Sequence, residues 1–135
     1  LHKYDVRGVI RRDPTKPKPD PDELVVQESA NKIDFVIARE GDTFEALADL
    51  FDKRTEDILE YNELRYDAEL KAGQIVYLQP KKRRASRDHP YYTVVEGDDM
   101  YTISQRFGVR LEKLYKRNDI PAGTQPKPGT RLELR

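Results

Sequence analysis

The sequence contains no cysteine, one methionine (Met100) and two histidines (His2 and His89). Without cysteine there is no disulfide bond and no thiolate metal ligand, so cysteine usage leaves the redox compartment open. Two histidines with no regular spacing do not predict a zinc site, and we expect no metal and no other cofactor. No apolar run approaches the about 18 residues of a membrane-spanning helix, so we expect no membrane span.

Neither sign of charge is in excess. The chain has 25 Lys and Arg residues and 25 Asp and Glu residues, so its formal net charge is zero. A neutral chain lacks a broad electrostatic attraction for nucleic acid or anionic lipid, and we expect neither as a partner. A ligand bound through a neutral surface, such as a sugar, fits this balance better than a polyanion does.

The 135 residues fit one ordinary domain or two unusually small ones. The chain begins with Leu1 and its single methionine is Met100. We therefore expect it to be a piece of a longer protein, in which the missing part carries the cellular address and any catalysis.

The sequence repeats itself at an offset of 56 residues. Residues 33–78 align with residues 89–134 without a gap, and ten of these 46 positions are identical. Chance matching at ~6% per position would give roughly three. Apolar positions correspond as well, as in the pair Leu47 and Ile103. The repeat therefore indicates a duplicated module.

Each copy predicts a strand, two helices and a strand. The opening strands are predicted at Phe35–Ala38 and Tyr91–Val95, where aromatic and β-branched residues are frequent. The closing strands are predicted at Ile75–Leu78 and Arg131–Leu134. The fold class is therefore α+β: two tandem βααβ modules, each a two-stranded antiparallel sheet with two helices on one face.

Apolar residues spaced by three, four and seven positions predict the first helix of each copy. These positions are Phe44, Leu47, Ala48 and Phe51 in the first copy, and Met100, Ile103, Ser104 and Phe107 in the second. A second short helix is predicted at Thr55–Tyr61 and at Leu111–Arg117.

Capping residues and helix-ending residues mark the ends of the predicted helices. Asp42 with Glu45 predicts a capping box at the first helix, Thr55 predicts a cap for the second, and either Asp98 or Asp99 can cap the third. Gly108 is expected to end the third helix. Asn62 and Asn118 are expected to adopt the left-handed conformation that ends a helix.

The connecting segments complete the domain organisation. Residues 1–32 are predicted to be a leader, with a stiff proline-rich run at Pro14–Pro21, a short strand at Leu24–Val26, and the end of a preceding domain at Leu1–Asp5. The modules are predicted at 33–78 and 90–135. Residues 79–89, which include the basic run Lys81–Arg84, are predicted to be a solvated linker rather than a nucleic-acid site.

The motif at Tyr92–Asp98, followed by Phe107–Val109, Asn118 and Pro128–Thr130, resembles the LysM domain. The first copy resembles the same family through Glu40–Phe44, Leu47, Asn62 and Ala72–Gln74. The resemblance implies a βααβ fold that binds glycans containing N-acetylglucosamine, namely peptidoglycan or chitin. The tandem with its basic linker is also similar to the C-terminal tail of bacterial cell-wall glucosaminidases.

The resemblance also implies a shallow groove between the loop after the first strand and the loop before the last strand. The residues implied are Gly41, Asp42, Thr43, Phe44, Asn62, Leu64, Arg65 and Tyr66 in the first copy, and Gly97, Asp98, Asp99, Met100, Asn118, Ile120, Pro121 and Ala122 in the second. Two positions depart from the family pattern. Asp99 replaces the threonine found at Thr43, and Arg65-Tyr66-Asp67 replaces the small loop that the second copy keeps.

We therefore expect a non-catalytic region that binds peptidoglycan, or a related glycan, and anchors an attached hydrolase. The expected location is the cell envelope, periplasmic or extracellular. The alternative is a protein-interaction or spacer region that packs on the attached catalytic domain and regulates it. No catalytic residue is expected, because the Gly-Asp pair is explained by helix capping and both histidines lie outside the modules. Tyr66 and Tyr101 are candidates for sugar contact.

Overall fold

The computed structural model describes residues 9–11 and 24–135. The proline-rich run Pro14–Pro21 and the segment Leu1–Asp5 lie outside the described residues. The chain divides into two compact units, one made of residues 1–28 and 33–80 and the other of residues 29–32 and 81–135. Within the described ranges, no helix is both long and apolar enough to cross a membrane.

The predicted α+β class with two βααβ modules is confirmed. The first unit contains β1 (Val9–Arg11), β2 (Leu24–Glu28), β3 (Asp34–Ile37), α1 (Phe44–Leu50), α2 (Thr55–Tyr61) and β4 (Ile75–Tyr77). The second unit contains β5 (Tyr91–Thr93), α3 (Met100–Phe107), α4 (Leu111–Arg117) and β6 (Arg131–Glu133). We call β3 to β4 the first module and β5 to β6 the second module.

The sheet of the first unit is larger than the predicted two strands. Its strand order is β1-β2-β3-β4, with β1 parallel to β2 and the other pairs antiparallel. The central pair places Phe35 opposite Tyr77, and Gln27 of β2 lies opposite Phe35 on the other side. The short strand predicted at Leu24–Val26 therefore forms and runs on to Glu28. Its first three residues are buried, so it adds to the core of this unit.

The second unit has only the predicted antiparallel pair, in which Tyr92 lies opposite Leu132. Part of the predicted solvated linker belongs to this unit. The Ala85 N–H donates to the Leu134 carbonyl at 2.8 Å, and Lys82 forms an isolated parallel bridge with Val109. Lys81 and Ala85 are buried, whereas Lys82, Arg83 and Arg84 are exposed. The basic run is therefore held against the module by its backbone, with most of its charge on the surface.

Each module has its own apolar core beneath its two helices. The helical stripe predicted from the sequence is buried, except that Phe107 is only partly so. The first core combines this stripe with Leu24, Val26, Val36, Ala38, Ile58, Leu59, Val76 and Leu78. The second combines it with Ala85, Val94, Val109, Leu114, Tyr115, Leu132 and Leu134. Burial of the i, i+3, i+4 stripe explains why such short helices form at all.

Two of the predicted helix caps are wrong. Thr43, not Asp42, caps α1, because its hydroxyl accepts a hydrogen bond from the Ala46 N–H at 3.1 Å. Thr55 is the first helical residue of α2, and Arg54 precedes the helix without a capping side chain. At α3 the two candidates are resolved in favour of Asp99, whose carboxylate accepts from the Thr102 N–H at 2.7 Å.

The predicted left-handed asparagines are also wrong. Asn62 and Asn118 have φ angles of −101° and −104°, and the left-handed conformation falls one residue later, at Glu63 and Asp119. Gly108 does end α3 in the left-handed region, with φ 67°. The two asparagines therefore do not end their helices through a left-handed backbone, and their role is seen in the contacts of their side chains.

Candidate functional site

Two loops of each module are joined at their base by backbone hydrogen bonds. In the first module the Ala38 N–H donates to the Gln74 carbonyl at 2.9 Å, and the Gly73 N–H donates to the Ala38 carbonyl at 2.8 Å. Val94 makes both equivalent bonds in the second module. The loop after the opening strand and the loop before the closing strand therefore start side by side, as the implied groove requires.

The opening loop turns at an exposed glycine. Gly41 has φ +86° and Gly97 has φ +91°, a region that other residues rarely adopt. No atom lies within 4 Å of the position that a Cβ would take on either residue. The Cα of each glycine therefore faces open space.

The aspartate after each glycine closes this turn. The Asp42 carboxylate accepts a hydrogen bond from the Arg39 N–H at 2.7 Å, and Asp98 accepts from the Val95 N–H at 3.0 Å. Asp42 also forms an ion pair with the Arg39 guanidinium at 2.9 Å. The carboxylate folds back on the preceding strand end, which explains the Gly-Asp pair without a catalytic role and without a helix cap.

Asp98 lies in a small polar cluster. The Tyr92 hydroxyl donates to Asp98 at 2.5 Å, Arg106 donates to the same hydroxyl at 3.0 Å, and the Arg106 guanidinium lies 3.7 Å from the carboxylate. The Tyr92 hydrogen bond lowers the pKa of Asp98 most, followed by the Val95 N–H, and the charge of Arg106 lowers it further. The ionised carboxylate is therefore the form that holds this turn.

The start of the closing loop in the first module is held by Asn62. Its side-chain amide donates to the Ile58 carbonyl at 2.7 Å and to the Tyr77 carbonyl at 3.0 Å, and its oxygen accepts from the Tyr77 N–H at 2.8 Å. Only 1% of Asn62 is exposed. The side chain thus acts as a bridge between the end of α2 and strand β4, and it fixes where the loop between them begins.

Asn118 forms the same bridge in the second module. It donates to the carbonyls of Leu114 at 2.9 Å and Glu133 at 3.0 Å, and it accepts from the Glu133 N–H at 2.7 Å. These bonds lie nearer to solvent than those of Asn62. We name Asn62 and Asn118 the bridging asparagines. Because their amides are used inside the modules, contact with a ligand falls to the loop residues around them.

Each closing loop has a turn at the same offset, although the backbone conformations within the two turns differ: Gly123 has φ +87°, whereas Asp67 at the equivalent position does not have a positive φ. The Ala68 N–H donates to the Arg65 carbonyl at 3.0 Å, and the Thr124 N–H donates to the Pro121 carbonyl at 3.1 Å, at the same offset of 56 residues. The departure at Arg65-Tyr66-Asp67 therefore keeps the hydrogen bond across the turn and changes both the side chains that the loop presents and the backbone conformation at its third residue.

The structure separates the predicted site residues by exposure. The exposed ones are Gly41, Thr43, Arg65, Tyr66, Gly97, Pro121 and Ala122. The half-buried ones are Asp42, Leu64, Asp98, Asp99, Asn118 and Ile120, and the buried ones are Phe44, Asn62 and Met100. Tyr66 stands out because 84% of it is exposed, with Arg65 and Asp67 paired beside it at 3.8 Å. The side chains of Phe44 and Met100 belong to the cores.

Sequence reasoning missed Gln125. Its side-chain oxygen accepts a hydrogen bond from the Met100 N–H at 2.8 Å, so it links the closing loop to the start of α3. Helix N-termini present amide groups that need acceptors. A glutamine in the facing loop is the feature of the sequence that could have predicted this contact. The first module has Glu69 at the equivalent position.

Tyr101, the other tyrosine proposed for sugar contact, lies against the basic run. The Lys81 ammonium is 5.4 Å from the centre of the Tyr101 ring and donates to the Ser104 hydroxyl at 3.1 Å. In the part of the chain that the structure describes, no group of three or more His, Asp or Glu side chains is placed to hold a metal ion.

Two βααβ modules, each with an exposed glycine turn beside a fixed closing loop, define a repeated binding-module architecture. A family model described as LysM domain matches residues 36–79 and 92–135, which is well over half of the chain. The chain therefore belongs to the LysM domain family, as a tandem pair. LysM domains are non-catalytic and bind N-acetylglucosamine-containing glycans of peptidoglycan.

Several known proteins are similar to this chain. The membrane-bound lytic murein transglycosylase D of Escherichia coli strain K12 is 30% identical over 100 residues, which cover 71% of this chain and 22% of that protein, and the strain CFT073 protein matches equally. The spore cortex-lytic enzyme SleL of Bacillus cereus is 28% identical, covering 76% of this chain and 22% of that one, with a TM-score of 0.33. The chain thus spans about a fifth of the length of these relatives.

We predict that the bridging asparagines differ in their contribution to stability. Asn62→Ala removes the three hydrogen bonds that the buried side chain makes with Ile58 and Tyr77, so it should lower the free energy of unfolding by about 2–4 kcal/mol. Asn118→Ala exposes its partners to water and should cost about 0.5–1.5 kcal/mol. Urea unfolding followed by circular dichroism measures both. Equal costs for the two variants would contradict the assigned burial.

A second prediction concerns acid stability. Because the folded-state pKa of Asp98 is lowered, its stabilising contribution is complete above about pH 4 and is lost as the pH falls through the folded-state value. Asp98→Asn should therefore destabilise the second module at pH 7 and have a smaller effect near pH 2. Amide NMR signals of this module report its unfolding.

Tyr92→Phe serves as the control for this assignment, because it removes the hydroxyl that lowers the pKa of Asp98 most and keeps the ring. The pH-dependent part of the stability should shrink in this variant. A destabilisation by Asp98→Asn that is the same at both pH values would contradict the proposal that the ionised carboxylate holds the turn.

Proposed function

We propose that this chain anchors an attached cell-wall hydrolase to its substrate by binding N-acetylglucosamine-containing glycan of peptidoglycan, at the cell envelope. The observation that supports this most is the open backbone at Gly41 and Gly97, each beside a loop that a bridging asparagine holds in place. A sugar with an N-acetyl group carries an amide, and an amide pairs with exposed backbone N–H and C=O groups.

The binding residues in this proposal are the exposed ones. In the first module they are Gly41 and Thr43 on one wall and Tyr66 on the other, and in the second they are Gly97 with Pro121 and Ala122. The half-buried Leu64 and Ile120 pack against the cores and form the floor near these residues. A groove built in this way has few polar contacts, so each module binds weakly.

Two weak modules suit a repetitive polymer. A dissociation constant of about 1 µM to 1 mM corresponds to only ~4–8 kcal/mol of binding free energy. When two modules bind the same polymer, avidity raises the overall affinity by a factor of about 10²–10⁴. The duplication therefore serves attachment without any new chemistry in either copy.

The test of this function is sedimentation of the chain with insoluble peptidoglycan. We expect the protein in the pellet, and we expect a soluble N-acetylglucosamine oligomer to compete for it. Protein that stays in the supernatant would favour the alternative, a region that packs on the attached catalytic domain and regulates it. Cleavage of the glycan by the isolated chain would contradict the non-catalytic assignment.

A further prediction concerns the proposed binding site of the first module. Tyr66→Ala should raise the dissociation constant for a short N-acetylglucosamine oligomer about threefold to tenfold, because the exposed ring offers an apolar face to the sugar. The oligomer is too short to bind both modules at once, so avidity does not obscure the change. Isothermal titration calorimetry measures it.

Tyr91→Ala is the matched control, since Tyr91 is also an exposed tyrosine but lies on β5, outside both grooves. This variant should bind the oligomer as the unchanged chain does. Circular dichroism spectra should show that both variants are folded. If the two substitutions weaken binding equally, the closing loop of the first module is not the site.

A further inference from the structure

The zero net charge of the chain conceals two oppositely charged parts. Residues 33–80 contain five basic and twelve acidic side chains, a formal charge of −7. Residues 29–32 and 81–135, which form the second unit, contain fourteen basic and seven acidic side chains, a formal charge of +7. An excess of this size in a unit this small sets up a local positive potential that attracts anions.

Part of this excess is concentrated in three arginines, Arg83, Arg84 and Arg117, which we call the arginine cluster. Arg83 and Arg84 are exposed, and Arg117 is the half-buried last residue of α4. Burial lowers the pKa of Arg117 most, and the nearby charges of Arg84 and Arg83 lower it further. The positive charges of Arg83 and Arg84 thus act on the Arg117 guanidinium.

The arginine cluster has no acidic partner within the part of the chain that the structure describes. Three other arginines of the second unit are each paired with an acid: Arg106 with Asp98, Arg110 with Glu112, and Arg131 with Glu133. Arginine is usually placed where a carboxylate or phosphate can receive its planar set of donors. The absence of such a group around three neighbouring arginines is therefore unusual.

One donor atom of the arginine cluster is buried. The Arg117 Nη1 atom is buried and donates to no hydrogen-bond acceptor among the described residues. Leaving a charged donor without a partner costs more than leaving a neutral one, and each such group in a native protein calls for an explanation. An oxyanion bound beside the guanidinium groups offsets their positive charge, and it can approach Arg117 because the residue as a whole is only half-buried.

We propose that the arginine cluster binds carboxylates of the peptide-bearing glycan, so that the second module recognises peptidoglycan as an anionic polymer as well as a sugar chain. This inference rests on the proposed function. Carboxylate is favoured over phosphate because the same polymer that offers N-acetylglucosamine to the groove carries peptide carboxylates along its length. Arg117 also directly precedes Asn118 and the closing loop that forms one wall of that groove.

The proposal gives the two modules different ligand preferences. The first module, with a charge of −7, repels an anionic segment and is left with the neutral sugar as its ligand. The second module gains a charge-assisted contact, and such bonds are about twice as strong as neutral ones. Salt should therefore weaken only the second module's part of the attachment.

The test compares two double variants of the full chain that remove the same charge from the same module. Arg84→Gln/Arg117→Gln removes two members of the cluster, and Arg110→Gln/Arg131→Gln removes two arginines that already have acidic partners. Soluble peptidoglycan fragments with intact peptides are the ligand, and titration calorimetry gives the dissociation constant. We expect at least about a tenfold increase for the cluster variant and at most about twofold for the control.

Chemical amidation of the peptide carboxylates identifies the group that is bound. The unchanged chain should lose the same factor of about ten on amidated fragments, and the cluster variant should lose nothing more. Unchanged binding after amidation would overturn the proposal, as would equal losses in the two double variants. Stronger binding to poly(glycerol phosphate) or to RNA than to the intact fragments would also overturn it.

Two readouts separate this inference from the proposed function and from a structural role. Binding of a neutral N-acetylglucosamine oligomer should be the same in the unchanged chain and in both double variants. If the unchanged chain does not bind the oligomer, the proposed function fails, independently of the results for the arginine cluster. The melting temperature of the cluster variant should stay the same or rise, because the substitutions relieve repulsion. A clear fall would assign Arg117 to folding and overturn the proposal.

Discussion

The amide of Asn62, and that of Asn118 in the second copy, holds the end of one helix against the closing strand. A module of about 45 residues buries little apolar surface and here has no disulfide, so its loops are only as rigid as the polar bonds across them. The closing loop starts from this bridge in both copies. Every proposed contact with a ligand on that wall depends on where the bridge places it.

Polar side chains also hold the backbone of the loop after the opening strand in each module. A carboxylate, Asp42 or Asp98, ties the glycine turn back to the strand end, and the next residue caps the helix. The polar side chains at these positions are therefore directed toward the backbone of their own module. What remains for a ligand is exposed backbone at the glycine and the side chains at the loop tips, which is consistent with a shallow site of low affinity.

The helices and strands of the two modules were predictable to within about two residues, since a buried stripe such as Phe44 and Leu47 can arise from only one period. The strand at Val9–Arg11 was not predicted. The fold class followed from the repeat. The caps were not predictable, because Asp42 and Thr43 are adjacent and both are good caps, and the choice depends on a bond from Arg39 that sequence spacing does not reveal. The role of Asn62 was missed for a similar reason: its partner, Tyr77, lies fifteen residues away.

The formal net charge of zero does not show how charge divides between the two copies, because it is summed over the whole chain and not over each module. Screening limits the reach of a surface charge to about 8 Å at physiological ionic strength, so a ligand responds mainly to the charges within that distance of it. Duplication allows such divergence, since both copies keep the same asparagine bridges while their surfaces change. A tandem with one acidic and one basic copy can therefore read two features of a single polymer, its neutral sugars and its charges, with one fold.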